Sequence, residues 1–418
     1  MIRLSSLALF ILIGACSHTY VPAGSPNSWV KTATMAAPSS SHFDEKLTTL
    51  LYVTDRATDA DHIYGHDRSN AMVLGTAHVN LMNMSGMDYN DYMSGNPEGV
   101  SVPKYELNAS EELVRFPGTP LPFAIENGVR IRNSVSINSY ENARRIFRDR
   151  LTQELLSRET GKVVLYVHGF NTSFEHGVFD LLELTAASGW DGVPILYSWP
   201  TGSNNILSYF ADTQDGAFSV YHLKETLRII AATEAVDDVT IIAHSHGASI
   251  ATTALRELLI ETRGSGLSMR DTYRISTLVL AAPDIDIGVM EQRLVAEEFG
   301  LGFKQINVYL NSDDNALGFA AKLLGAPRFG AMTPDEMSPE SKAVFRSVKS
   351  VHFIIVTDAV GKARHSHFRL HPGVLADIAI TIRTGAEPSD PERPLEHLDL
   401  NFWQIDKTYR PVYRGNVR

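Results

Sequence analysis

Cysteine is almost absent from this chain: Cys16 is the only one among 418 residues. A lone cysteine excludes a disulfide within the chain and a cysteine-based metal site. Basic residues are outnumbered by acidic ones, 37 against 48, and the net charge is −11 without any basic block, so nucleic acid is not expected as a partner. A glycine-rich phosphate loop is also missing, and we expect neither a cofactor nor a metal.

The first 16 residues predict export and lipidation rather than a membrane span. A basic start is followed by ten apolar residues, Leu4–Ile13, a run too short to cross a bilayer. Residues 13–16, Ile-Gly-Ala-Cys, have the pattern of a bacterial lipoprotein cleavage site. An ordinary secretory signal is the alternative. We expect Cys16 to be the lipidated first residue of a cell-envelope protein, and Ser17 after it favours the outer membrane by resemblance.

The rest of the chain divides by composition. Residues 17–42, with three prolines and little periodicity, predict a flexible tether, and such an anchored domain needs no membrane-binding surface of its own. Residues 43–387 predict one catalytic domain with an irregular insertion at 81–137, which is either a lid over the site or a passive elaboration. Residues 388–418 predict a tail that wraps the surface.

A buried strand that breaks at a serine is the most informative motif. Residues 238–250 form an apolar run, then Ala243-His-Ser245-His-Gly247, then a helical pattern. A nucleophile elbow needs this sequence, because the serine sits on a tight turn that crowds the residues two before and two after it. Ser245 is therefore the candidate nucleophile, with Ala243 in a place that glycine usually occupies.

A second buried strand precedes a candidate oxyanion hole. Residues 162–171 form an apolar, β-branched run closed by His168-Gly. In hydrolases with an elbow, the loop after such a strand supplies one backbone N–H and the residue after the nucleophile supplies the other. These donors are Phe170 or Asn171, and His246. We expect His168 to hold the loop.

The acid and the base follow the serine in that chain order. A strand at 304–310 ends before Asp314, and a strand at 351–357 is followed by a loop that carries His365. Ser245, Asp314 and His365 thus each come just after a predicted strand, where open α/β sheets place their sites.

Each of these two positions has rivals. Asp313, Asp284 and Asp286 could replace the acid, and His367 or His371 could replace the base, because triads are defined by geometry. The pairs His244/His246 and His365/His367 also suggest a metal, but an elbow should separate the first pair, and no further ligand lies at metal-site spacing.

From residue 140 onward, strand and helix patterns alternate as in a doubly wound, mostly parallel α/β sheet. We predict helices near 140–157, 173–188 and 205–234, and strands at 193–198 and 275–282. The aspartates on these helices, Asp180, Asp212 and Asp215, are expected to be solvated.

At this point the sequence resembles a large bacterial family of uncharacterised α/β-hydrolases of the esterase/lipase-like type. The stretches that carry the resemblance are residues 52–56, 167–171, 198–200, 243–247, 282–286, 314–317 and 365–368. The resemblance implies an α/β-hydrolase fold with Ser245 as nucleophile, Asp314 as orienting acid and His365 as base. The family more often has methionine where this chain has His246 and an aromatic residue where it has His367.

These observations together predict a serine hydrolase that cleaves a carboxylic ester through an acyl-enzyme. Its expected partners are a small-molecule or lipid acyl ester and the membrane that holds Cys16. Two alternatives stay open: an acyltransferase with the same triad, and a non-catalytic envelope lipoprotein that keeps the fold for binding.

Overall fold

The computed structural model describes residues 20–23, 49–59, 64–85, 88–89, 92, 102–189, 192–202, 208–333, 339–347, 349–406 and 408–410. The predicted signal peptide and Cys16 lie outside these ranges. In the described ranges, no helix combines the length and the apolar composition that crossing a bilayer requires.

The centre of the protein is one mostly parallel β-sheet. Its strands are β1 (Thr49–Thr58), β2 (Tyr64–Leu81), β3 (Tyr105–Arg115), β6 (Lys162–Val167), β7 (Val193–Ser198), β8 (Asp238–His244), β9 (Ile275–Ala281), β10 (Gln305–Leu310), β11 (Val351–Val356), β12 (Glu396–Asp399) and β13 (Phe402–Ile405), while β4 (Phe123–Glu126) and β5 (Val129–Arg132) form a separate hairpin. Their order in the sheet is β12-β13-β11-β10-β9-β8-β6-β7-β1-β2-β3. The strands from β13 to β1 run parallel, and β2, β3 and β12 are antiparallel at the edges. The predicted fold class is confirmed.

Helices cover both faces of this sheet. They are α1 (Ser134–Ser157), α2 (Phe174–Ala187), α3 (Ser208–Ala231), α4 (His246–Gly264), α5 (Met269–Tyr273), α6 (Ile287–Met290), α7 (Asn315–Leu324), α8 (Pro339–Ser347), α9 (His367–Leu370) and α10 (Pro372–Thr384). Side chains of α1, α3 and α4 join one buried cluster, and those of α2 and α10 join the cluster on the opposite face.

The alternation along β6 explains why its sequence is apolar from Val163 to Val167. Val163, Leu165 and Val167 enter one cluster, and Val164 and Tyr166 enter the other. Successive side chains of a strand point to opposite faces, so a strand covered by helices on both sides must be apolar at every position.

Helix α1 begins six residues before the predicted start because of its cap. The Asn133 side chain accepts a hydrogen bond from the Ser136 amide, which satisfies one of the free N–H groups of the first turn. The first turns of this helix are mostly exposed, so their apolar period is weak. The helix predicted near 173–188 spans Phe174–Ala187, and the one predicted near 205–234 ends at Ala231, while residues 205–207 lie outside the described ranges.

The prediction of irregular structure over 81–137 is wrong for its described residues. Strand β3, the β4–β5 hairpin and the start of α1 all lie in this range. Strand β3 is an edge strand with mostly exposed side chains, so no apolar alternation announces it. It lies five strands from β8, so it is not the expected lid.

The prediction of a surface-wrapping tail over 388–418 is wrong for residues 396–405, and residues 411–418 lie outside the described ranges. Strand β13 pairs in parallel with β11 and extends the sheet, and β12 pairs with β13. Before them Arg393 is fully buried, and its Nη2 donates to Asp377 Oδ2 at 2.8 Å. Four-residue strands are too short to show a period in the sequence.

The predicted tether is docked where the structure describes it, at residues 20–23. The Ala23 amide donates to Oε1 of buried Glu183 at 2.8 Å. The Arg369 guanidinium lies 4.6 Å from the centre of the Tyr20 ring. A flexible tether is therefore a wrong expectation for these four residues, because their backbone and aromatic groups satisfy charged groups buried on α2 and α9.

Two of the aspartates expected to be solvated are buried. Asp180 pairs with Arg369 at 2.8 Å, and the Asp212 carboxylate accepts a short hydrogen bond from the Thr201 hydroxyl. Asp215 is partly exposed and lies 3.5 Å from Arg68.

Candidate active site

Ser245 occupies a strained turn between β8 and α4. Its backbone has φ 52° and ψ −124°, a conformation that residues other than glycine rarely adopt. A Cβ on Gly247 would lie 2.3 Å from the carbonyl oxygen of His168, and one on Gly169 would lie 2.9 Å from the Ser245 Cβ. Both glycines are therefore needed for the close approach of the β6 loop to the elbow.

Three predicted site residues form one hydrogen-bonded chain. The Ser245 Oγ lies 3.1 Å from His365 Nε2, and His365 Nδ1 lies 2.7 Å from Asp314 Oδ2. The other carboxylate oxygen of Asp314 accepts hydrogen bonds from the amides of Ala316 and Leu317, at 2.9 and 3.1 Å. Asp314 is thus the N-cap of α7, and this capping fixes the orientation of its carboxylate toward the histidine.

The electrostatics of His365 suit a proton acceptor. Burial by itself would lower the pKa of the imidazole, but the charge and the hydrogen bond of Asp314 outweigh it, and the pKa is raised. A carboxylate on Nδ1 also stabilises the tautomer in which Nε2 carries the lone pair that faces Ser245.

Neighbouring groups hold the loop that carries His365. The Asn311 side-chain amide donates to the Arg364 carbonyl oxygen at 2.8 Å. His244 Nε2 lies 3.3 Å from the carbonyl oxygen of His365, and its ring packs 4.5 Å from that of Phe368. The position of His365 therefore depends on residues from β8, from the loop after β10 and from α9.

The rival acids lie elsewhere. Asp313 is exposed, and Asp286 caps α6 by accepting from the Val289 amide. Asp284 is buried, where Arg328 Nε and the Tyr209 hydroxyl both donate to it at 2.6 Å. None of these three carboxylates contacts His365.

The rival bases are also outside the hydrogen-bonded chain. His371 caps α10 by accepting from the Val374 amide at 3.3 Å. His367 is fully buried, neither ring nitrogen has a hydrogen-bond partner among the described residues, and burial lowers its pKa to about 3. Such a histidine stays neutral.

The backbone N–H groups predicted to bind an oxyanion differ in whether they already donate a hydrogen bond within the protein. The Asn171 amide donates to the Thr201 hydroxyl at 2.9 Å, so it is already occupied. Among the described residues, the amides of Phe170 and His246 have no hydrogen-bond acceptor. His246 is the first residue of α4, where an N–H has no partner within the helix. Phe170 and His246 are thus the pair of donors that the geometry leaves free.

Arg56 holds the loop that follows β6, a contact that was not predicted from the sequence. It is buried at the end of β1, where its guanidinium donates to the carbonyl oxygens of Gly65, Thr172 and Thr201 at 2.7–2.8 Å. Burial lowers its pKa to about 9, so it remains charged at neutral pH. The sequence signal was an arginine three residues after the apolar run Leu50–Val53, within the same strand.

His168 lies between Arg56 and the loop. Because an arginine can only donate, His168 Nε2 accepts from Arg56 Nη2 at 3.2 Å, and Nδ1–H donates to the Gly169 carbonyl oxygen at 2.9 Å. Burial and the Arg56 charge hold the pKa of His168 well below its usual value. The contact matches the expectation that His168 holds the loop.

The side chain of His246 forms part of an aromatic wall beside the elbow. Its ring lies 5.6 Å from Trp199 and 6.2 Å from Tyr209, and Tyr209 packs 5.3 Å from Phe170. His246 Nδ1 is 3.9 Å from Asp284 Oδ2, which is too long for a hydrogen bond.

Asp284 is a charged group close to Ser245. Its amide donates to the Ser245 carbonyl oxygen at 3.1 Å. Burial would raise the pKa of its carboxyl group, but the neighbouring His246 side chain, the Arg328 guanidinium and the Tyr209 hydroxyl outweigh burial and hold the pKa well below the usual range. Asp284 therefore stays ionised and keeps Arg328 and Tyr209 in place.

The two histidine pairs do not converge on one point. His244 contacts the His365 carbonyl group and Phe368, whereas His246 contacts Trp199 and Tyr209. Within the described ranges, no three His, Cys, Asp or Glu side chains are grouped as metal ligands.

An apolar cavity of about 40 Å³ lies under the sheet, and no triad residue lines it. Leu280, Val308 and Phe353 contribute its sheet side, and Met290 and Phe299 contribute its helical side. We therefore assign no acyl chain to this cavity.

Comparison with known proteins gives a family match. The profile of an α/β-hydrolase family of unknown function, DUF900, matches residues 143–383, which is more than half of the chain. No curated protein matches it in sequence.

Solved structures of similar fold include a lipase-esterase related protein from Clostridium acetobutylicum ATCC 824 and an esterase from Pyrobaculum calidifontis. The first is 10% identical, with 53% of this chain and 93% of that chain covered and a TM-score of 0.30. The second is 14% identical, with 54% and 76% covered and a TM-score of 0.31. These scores are too low to carry an argument about activity.

Proposed function

This chain belongs to the α/β-hydrolase family of unknown function DUF900, and on that premise we propose that it is a serine hydrolase that cleaves carboxylic esters. The observation that carries the proposal is the continuous hydrogen-bonded chain from Ser245 Oγ through His365 to Asp314. In this arrangement a carboxylate orients a histidine, and the histidine activates the serine hydroxyl group as a nucleophile.

The acylation step uses each of these groups once. His365 Nε2 takes the hydroxyl proton as Ser245 Oγ attacks the acyl carbonyl carbon, and Asp314 stabilises the imidazolium that forms. The oxyanion accepts hydrogen bonds from the amides of Phe170 and His246, and one such donor lowers the barrier by about 3 kcal/mol. His365 then returns the proton to the leaving alkoxide, and an acyl-enzyme remains.

Deacylation repeats these roles with water. His365 takes a proton from the water molecule that attacks the acyl-enzyme, and it then protonates Ser245 Oγ as the carboxylic acid leaves. We propose an ester because the described site holds the triad and two free amides but no further group aimed at an amine leaving group.

The test uses residues 17–418, which include every residue that the structure describes. The protein is treated with a fluorophosphonate probe and assayed on p-nitrophenyl esters from acetyl to palmitoyl, beside Ser245→Ala and a control, Ser312→Ala, at an exposed position before the acid. We expect labelling and turnover in the parent and the control, and neither in Ser245→Ala.

A folded parent protein that is neither labelled nor active would reject the enzyme and favour the binding lipoprotein. A parent that is labelled but releases more acyl product to added glycerol than to water would favour the acyltransferase.

We also propose that the chain is anchored in the cell envelope, at the outer membrane, through lipid on Cys16. The support is the cleavage pattern at residues 13–16 and the absence of any other cysteine in the sequence. Mass spectrometry of the mature N-terminus tests this proposal. An acylated Cys16 in the parent protein, and no acylation in Cys16→Ser, is the expected result, whereas a free N-terminus at another residue contradicts it.

A further inference from the structure

The hairpin of β4 and β5 stands apart from the main sheet. Its two strands pair with each other in a separate sheet, and all eight strand residues are exposed. The turn residues Asn127 and Gly128 have φ 51° and 76°, as a type I′ turn requires. The sequence thus specifies a well-formed hairpin that no described part of the chain covers.

The hairpin concentrates exposed apolar surface. Of the eighteen exposed large apolar side chains among the described residues, five fall between residues 123 and 135: Phe123, Ile125, Val129, Ile131 and Val135. Scattered exposed apolar residues are ordinary, but a contiguous group marks a surface that meets an apolar partner.

Both faces of the hairpin carry such residues. The register pairs Phe123 with Arg132 and Ile125 with Arg130, so one face has two apolar and two cationic side chains. The opposite face carries Val129 and Ile131 beside Ala124 and Glu126, so the hairpin has two cationic side chains and one anionic side chain. A protein partner that docks on a sheet covers one face, whereas immersion in the boundary of a bilayer covers both.

The two arginines complete an interfacial pattern. The Arg130 guanidinium lies 4.2 Å from the centre of the Phe123 ring, and neither Arg130 nor Arg132 forms an ion pair with a described residue. When aromatic and aliphatic side chains enter the acyl region of a bilayer, arginines beside them can extend to the lipid phosphates. The chain as a whole carries −11, so attraction to an anionic surface has to be local.

The topology places the hairpin at the edge of the sheet that carries Ser245. Strand β3 ends at Arg115, which is in register with Val73, and Val73 is in register with Thr54. Thr54 lies beside Ser198, the carboxyl end of β7. Helix α1 runs from this edge to the amino end of β6. The hairpin therefore lies between the end of β3 and the start of α1, both of which are at the carboxyl edge.

The length of α1 carries the hairpin beyond the sheet. The helix has 24 residues, about 36 Å, whereas the six residues of β6 span about 20 Å. We propose that the hairpin at 123–132 inserts into the interface of an anionic lipid bilayer and turns the catalytic edge toward the lipid. A lipid anchor would hold the protein at the membrane, and the hairpin sets the orientation of the protein there. In this orientation acyl esters of the bilayer reach Ser245, a consequence that rests on the proposed function.

Vesicle co-sedimentation of residues 17–418 tests the proposal without the predicted anchor. The probes are vesicles of phosphatidylglycerol and phosphatidylethanolamine, and vesicles of phosphatidylcholine alone. The double variant Ile125→Asp, Val129→Asp should reduce the bound fraction on the anionic vesicles at least about tenfold, because both apolar side chains leave the interface. The control Leu267→Asp replaces a side chain that is 57% exposed beyond the end of α4, at the opposite edge, and should bind like the parent.

Removing charge tests the second element of the pattern. Arg130→Ala and Arg132→Ala should each weaken binding to the anionic vesicles about fivefold and should leave binding to phosphatidylcholine unchanged. No binding by the parent, or equal binding by the parent and the double variant, would overturn the proposal. So would a parent dimer in gel filtration that becomes a monomer in the double variant, because a second copy would then be the partner.

Hydrolysis of a soluble p-nitrophenyl ester separates this inference from the proposed function. The double variant should hydrolyse it like the parent, which also shows that the variant is folded. A parent that binds anionic vesicles but lacks hydrolysis and probe labelling would reject the enzyme and keep the hairpin as a membrane contact.

Discussion

Ser245 Oγ and His365 Nε2 lie 3.1 Å apart although 120 positions separate them in the chain. The carboxyl ends of β8 and β11 bring them together, since parallel strands present their following loops at one edge of the sheet. Asp314 reaches the same edge from β10 and approaches His365 from the side opposite Ser245. The four predictions below test how this arrangement is oriented and held.

Asp314→Asn should reduce kcat by roughly 10³- to 10⁴-fold, because an amide cannot stabilise the imidazolium and favours the wrong histidine tautomer. The matched control is Asp313→Asn, an exposed neighbour without contact to His365, for which we expect kcat within about threefold of the parent. Initial rates on p-nitrophenyl butyrate measure both. Comparable losses in the two variants would mean that the acid is misassigned.

The dependence of kcat/KM on pH should follow the free base form of His365. Asp314 raises the pKa of the imidazole, so activity should rise with pH through an inflection above the usual histidine value of about 6.5. Protonated His365 cannot accept the Ser245 proton, hence the loss at low pH. A profile measured between pH 5 and 9 that stays flat, or that inflects below 6, contradicts this ionisation.

Arg56→Lys should lower kcat about 100-fold, with a smaller change in KM. A lysine cannot reach the Gly65, Thr172 and Thr201 carbonyl groups at once, so the loop with the Phe170 amide shifts, and small shifts of a catalytic group cost about this much. Because Arg56 is a positioning residue, its replacement could also lower the fraction of folded protein. Rates should therefore be expressed per molecule titrated with the fluorophosphonate probe.

The control for this effect is Arg393→Lys. Arg393 is equally buried and holds Asp377 at the far side of the sheet, so its replacement should lower thermal stability as Arg56→Lys does. It should leave kcat per titrated site unchanged. Equal losses of kcat in both variants would reduce Arg56 to a purely structural residue.

Gly247→Ala should destabilise the protein by about 1–3 kcal/mol and strongly reduce activity, because the new Cβ would lie 2.3 Å from the His168 carbonyl oxygen. Gly264→Ala, at the last residue of the same helix, meets nothing within 4 Å and should stabilise by up to about 1 kcal/mol. Thermal unfolding measures both. A stable, active Gly247→Ala protein would mean that the elbow and the β6 loop are not so closely packed.

Sequence patterns predicted much of the central architecture. The strands around Leu165 and Ile241 carry apolar side chains on both faces because both faces are buried, so their sequences differ from those of amphipathic helices. The elbow was visible because only small residues fit at Ala243 and Gly247. From the fixed chain order of acid and base, Asp314 and His365 then followed as candidates.

The edge strands were not predicted because their sequences show no clear apolar period. Strand β3 is mostly exposed, and β12 and β13 have four residues each, so neither type shows a clear period. Asp180 and Asp212 were predicted to be solvated helix residues, yet both are buried, with Arg369 from a distant part of the chain and Thr201 from the loop before the helix as their partners.

The sequence by itself determined the α/β class, the order of the strands that carry the candidate triad, and the residue types that the elbow demands, because burial and backbone crowding act locally on residue choice. Only the tertiary structure brought Asp314 rather than its rivals within hydrogen-bond distance of His365, showed that the Asn171 amide is occupied, and brought Arg56 to the loop after β6. Each of these depends on a distance or a hydrogen bond between residues far apart in the chain, and such distances are set by the packing of the whole sheet.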